Sequence, residues 1–77
     1  MIRSWLKARQ AAMHRAVLRA ELSNNLVALG ASRVLADDIA LGLDPQTKAD
    51  VQTITGYAAR HATPAFWADV AARKDPR

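Results

Sequence analysis

A chain of 77 residues with no cysteine forms one domain at most, with a thin core, and neither disulfides nor a thiolate zinc site can staple it. Its hydrophobic content of 51% excludes a disordered chain, although alanine supplies much of it, and no apolar run approaches the roughly 18–20 residues that span a bilayer. The net charge of +4 is unevenly placed: Arg3, Lys7, Arg9, Arg15 and Arg19 put five cations and no acid in the first twenty residues, while all seven acids lie at or after Glu21.

No segment alternates β-branched residues with a period of two, and helix punctuation is plain throughout. The expected fold is all-α: a small bundle of about four helices, a long N-terminal one followed by three short ones. It is read as a single helical domain over 1–77, with a basic arm (1–20) continuous with the first helix and a helical body (21–77).

The first helix is predicted over 2–29, stopped by Gly30. On it Ile2, Leu6, Met13, Val17 and Ala20 fall on one stripe, whereas Leu18, Leu22, Leu26 and Leu29 fall on another, roughly 150° or more away. One buried face does not explain both stripes. Either the helix breaks near Ser23-Asn24-Asn25, or its halves contact different things. Arg3, Lys7, Arg15 and Arg19 share a sector of about 160°, with Arg9 pointing elsewhere. Trp5 lies beside Ala12 and Ala16, as an interface anchor or as a seal on the domain's own core. An Arg-rich, acid-free start also has the composition of an organelle presequence, but the helix runs on without a cleavage-like break.

The second helix is predicted over 33–43, with Ser32 as its cap and two apolar sets, Leu35, Ile39 and Leu43, and Val34 with Leu41. Asp37 and Asp38 are expected to favour its start through the helix dipole. Asp44-Pro45 and Thr63-Pro64 each pair a capping side chain with a proline suited to the first helical position. They open a third helix over 46–62, carrying Val51, Ile54, Ala58 and Ala62 with Tyr57 beside them, and a fourth over 64–74, carrying Phe66, Trp67 and Val70. Asp75-Pro76 ends the last helix, and connections of two or three residues are expected.

The run Leu22-Ser23-Asn24-Asn25-Leu26 to Leu29-Gly30-Ala31-Ser32-Arg33, with Trp5 and spaced arginines before it, resembles short arginine-rich bacterial proteins. Their motif runs Leu-Ser-x-x-x-Leu-x-Asp-Ile-Gly-Leu-Ser-Arg. The likeness covers under half of the chain, needs a one-residue gap and lacks the Asp-Ile before the glycine, so no function is carried over from it.

No residue set reads as a catalytic or metal site. His14 and His61 have no ligand partner three or four residues away, Asp37 and Asp38 point about 100° apart, and three scattered glycines make no phosphate cradle. A helix-turn-helix around Gly42 would place Asp38 in its crowded joint and offer a reading helix with only Lys48 against Asp50 in its first turns. No enzyme activity and no cofactor are expected.

What remains is a non-enzymatic interaction or regulatory protein whose partner-binding residues are Ile2, Arg3, Trp5, Leu6, Lys7, Met13, Arg15, Val17 and Arg19. A larger protein is the expected partner, because binding phosphates alone would not need the apolar stripe. Nucleic acid on the same basic helix, an anionic membrane surface and a homo-oligomer are the alternatives. The lack of cysteine fits a reducing cytoplasm, the expected location.

Overall fold

The computed structural model describes residues 2–74, and side chains over 3–73. Four helices follow in order: α1 (Ile2–Ala28), α2 (Arg33–Leu43), α3 (Lys48–His61) and α4 (Pro64–Lys74), with no strand among the described residues. The expected all-α fold, one long helix and three short ones, is therefore observed. The Asp75-Pro76 stop lies outside the described residues.

Helix α1 does not break at Ser23-Asn24-Asn25 but runs continuously through it. Those three polar residues are where it is tied to its neighbours. Ser23 Oγ, buried, donates to the Asp37 carboxylate and accepts from Arg33 Nη1 at 3.1 Å, and the same nitrogen reaches Asn24 Oδ1 at 2.8 Å. Asn25 Nδ2 donates to Thr55 Oγ1 of α3 at 3.1 Å. A polar triplet that looked like a break is thus a set of cross-links. Its hydrogen-bond partners make the burial of Ser23 tolerable.

The stop at Gly30 follows from backbone geometry. Gly30 sits at φ 111°, its N–H donates to the Val27 carbonyl at 3.0 Å, and Ala31 N–H donates to the Leu26 carbonyl at 3.0 Å. This is the Schellman pattern, which satisfies two orphan carbonyls and turns Ala31 into the core beside Leu26. Ser32 then caps α2 by accepting from Leu35 N–H at 3.2 Å, as expected.

The start of the third helix differs from expectation. Asp44 is not an N-cap; it is the left-handed C-cap of α2, at φ 46°, with its N–H on the Ala40 carbonyl at 3.0 Å. Pro45 is buried in the connection rather than opening a helix. The cap of α3 is Thr47, in a reciprocal box with Asp50: Asp50 N–H donates to Thr47 Oγ1 at 3.1 Å, and Thr47 N–H to Asp50 Oδ2 at 3.2 Å. That box satisfies two donors where a proline start would satisfy none, so α3 begins two residues later than proposed from sequence. Connections 29–32 and 44–47 have four residues each, and 62–63 has two. Thr63 caps α4 as expected, accepting from Phe66 N–H at 3.0 Å.

The core is Leu18, Leu22 and Leu26 of α1 against Leu35, Ala36 and Ala40 of α2, with Val51 and Ala58 of α3 and Trp67 of α4 closing it. The small side chains of Ala36, Ala40 and Ala58 leave room for close helix approach. The expected pair Val34 and Leu41 is exposed rather than core, and so are Leu43 and Tyr57. Asp37 and Asp38 lie past the first turn of α2, so they do not serve its dipole; Asp37 binds Ser23 instead.

Candidate functional site: the overhanging arm of α1 and the groove behind it

Every residue over 3–17 is exposed, and burial begins abruptly at Leu18. At 1.5 Å per residue, that stretch is an overhang of about 22 Å. It stretches the molecule to 49 × 28 × 15 Å, and the radius of gyration of 14.4 Å exceeds the roughly 11.5 Å of a compact chain this long. The two halves of α1 thus meet different surroundings, the second of the two options that its stripes allow.

The overhang holds helical shape on local terms. Ala8, Ala11, Ala12 and Ala16, with Leu, Met, Gln, Lys and Arg between them, are strong helix formers. The charge placement works against it: the first turn has no acid, and Arg3 and Lys7 sit at the positive end of the helix dipole. An isolated helix of about 15 residues is marginal in water. Negative charge supplied from outside would satisfy both the cations and the dipole.

Leu6, Met13 and Val17 are 44%, 62% and 62% exposed, so none of the described residues covers these three side chains. Trp5, at 59%, does not seal the core. The Arg9 guanidinium, which the helix register already sets apart from the basic sector, lies over its ring, 5.4 Å from the centroid, as a cation–π pair. Arg3, Lys7 and Arg15 are exposed. Arg19 is the exception, half-buried and paired through Nη1 with Asp44 Oδ1 at 3.4 Å. The side chain of Ile2 is outside the described set.

Successive residues turn about 100°, which puts the basic sector on the same side of α1 as Leu18, Leu22 and Leu26. The cations of the overhang therefore continue the line of the core-facing leucines. The apolar stripe runs along the opposite side of the helix. A partner that grips both must wrap the arm rather than lie against one face.

A second feature was not legible in the sequence. Helices α2, α3 and α4 enclose an open apolar groove of about 420 Å³, with Ile39, Leu43, Ile54, Tyr57, Phe66 and Val70 on its walls. Its α3–α4 side is a ladder of rings: Tyr57 to His61 at 4.6 Å, His61 to Phe66 at 6.1 Å and Phe66 to Trp67 at 4.8 Å between centroids. His61 is thus an aromatic spacer. Among the described residues, no three histidines or carboxylates converge as metal ligands would, and no helix is long and apolar enough to cross a membrane.

Compared with known proteins, the chain matches no family, no curated protein and no solved structure.

Proposed function

We propose that this chain is a small, non-enzymatic interaction protein that binds and regulates a larger protein through its overhanging helix. The supporting observation is the unbroken exposure of residues 3–17, with Leu6, Met13 and Val17 uncovered on one side and Arg3, Lys7 and Arg15 on the other. The partner surface that complements this wraps the arm, with an apolar wall against the stripe and carboxylates on the opposite wall, where they meet cations for which this chain supplies no acid in the first turn of the helix. Trp5, stiffened by Arg9, supplies a large anchor near the tip.

The test is a photo-crosslinking residue at Met13, with a control at Ala59 on the body, applied in the source cells with and without nuclease. One acidic protein captured at Met13 alone, resistant to nuclease and lost in Leu6→Asp/Met13→Asp, is the expected result. Nuclease-sensitive capture, together with nucleic-acid retardation whose log–log salt slope is near −3 or steeper, would replace the protein partner by nucleic acid.

A further inference from the structure

We infer that the partner of the overhanging helix reaches onto the body, where one of its uncharged side chains fills the hollow between α1 and α2 beside Leu41. The inference rests on the reading of residues 3–17 as a protein-binding helix and adds a second contact to it, on a different element.

The apolar stripe of α1 does not end with the overhang. Its last member, Ala20, is exposed and lines an open hollow of about 280 Å³, shared with Arg19 of the same helix and with Asp37, Ala40 and Leu41 of α2. Leu41 is 66% exposed and takes no part in the core. It carries the line of Leu6, Met13, Val17 and Ala20 from one helix to the next.

A partner element packed on Val17 extends past it. A helix is about 10–12 Å across with its side chains, so one centred on Val17 covers about 5–6 Å of α1 to either side, or roughly three to four residues. Its edge then stands over Ala20, against the hollow and Leu41. Contact with two elements also sets one register for the partner along α1.

Charge decides what enters the hollow. Arg19 is paired with Asp44 at 3.4 Å, and Asp37 accepts from Ser23 Oγ and lies 4.0 Å from Arg33 Nη1. Both charges thus have partners within the chain, and an ion of the partner would have to displace one of them. Buried Ala40 makes an apolar floor, with Ala20 and Leu41 as apolar sides. An aliphatic or aromatic side chain fits that lining, as an anchor fits a pocket. The partner's carboxylates belong further out, with Arg3, Lys7 and Arg15, where residues 3–17 supply no acid.

The probe for the test is the protein captured through Met13, purified and titrated with the full chain. Leu41→Gln, uncharged and a good helix former, should raise the Kd about tenfold, and Ala20→Gln, which puts a polar chain into the hollow, should do the same. Both positions are exposed, so helicity and Tm should stay those of the parent chain. Tyr57→Gln, at a comparably exposed site in the α2–α3–α4 groove, should change the Kd by less than about twofold. Affinity indifferent to Leu41→Gln and Ala20→Gln but lost in Leu6→Asp/Met13→Asp overturns the inference and leaves the reading of the arm standing. A loss as large in Tyr57→Gln as in Leu41→Gln overturns it too. No capture through Met13, or capture that nuclease abolishes, removes the inference together with the reading it rests on.

Discussion

The indole nitrogen of Trp67 donates to the main-chain carbonyl of Leu29 at 3.0 Å, across 38 positions of sequence. That carbonyl lies just past the last turn of α1, where main-chain acceptors have no partner within the helix. The next residue, Gly30, has φ 111°, and a Cβ placed on it would stand 3.2 Å from the same indole nitrogen. The end of α1 is thus shaped to receive the α4 tryptophan, the one residue of α4 that is buried among those described.

Trp67→Phe keeps an aromatic ring but removes the donor. Stability should fall by about 1–3 kcal/mol, the cost of leaving a part-buried acceptor unpaired. Urea unfolding measures the total. Amide exchange should quicken first in α4, before α2 or α3.

Gly30→Ala forces a side chain into a backbone region that L-residues avoid and pushes on Trp67. A loss of about 1–3 kcal/mol is expected. The indole emission should shift, since the ring has to yield to the new methyl group.

Val17 and Leu18 are neighbours with opposite surroundings, 62% and 1% exposed. Leu18→Ala should cost about 2–5 kcal/mol, a large share of the 5–15 kcal/mol that holds an ordinary domain together. Val17→Ala should stay within about 0.5 kcal/mol. Thermal unfolding of the two variants side by side checks where the overhang ends.

The capping box gives a second contrast. Thr47→Ala should cost about 1 kcal/mol, because Asp50 N–H loses its acceptor. Asp44→Asn should cost little, since asparagine tolerates the left-handed conformation found there.

Gly30, Ser32 and Thr63 were readable because each acts on main-chain atoms within a few residues, which sequence order keeps together. Asp44 and Thr47 compete for the same role three residues apart. The winner is set by the reciprocal reach of Asp50 and the left-handed turn at Asp44, not by either residue alone. Ser23, Asn24 and Asn25 left the continuity of α1 open for a related reason: polar side chains inside a helix are compatible with a break until their partners Asp37, Arg33 and Thr55 are known. The two stripes of α1 allowed either a break or two environments, and the unbroken helix with Leu6, Met13 and Val17 exposed agrees with the second. The groove depends on how far α2, α3 and α4 stand apart, and Leu43 and Tyr57 have the same letters whether they line a core or a rim.

Leu6 and Leu22 stand on one unbroken rod, four turns or so apart. Whatever seizes the tip also steadies the domain, because a ligand that grips only the native rod adds about 2.7 kcal/mol at a hundredfold excess over its Kd. On the proposed reading, a chain held at its tip should resist proteolysis longer than a free one.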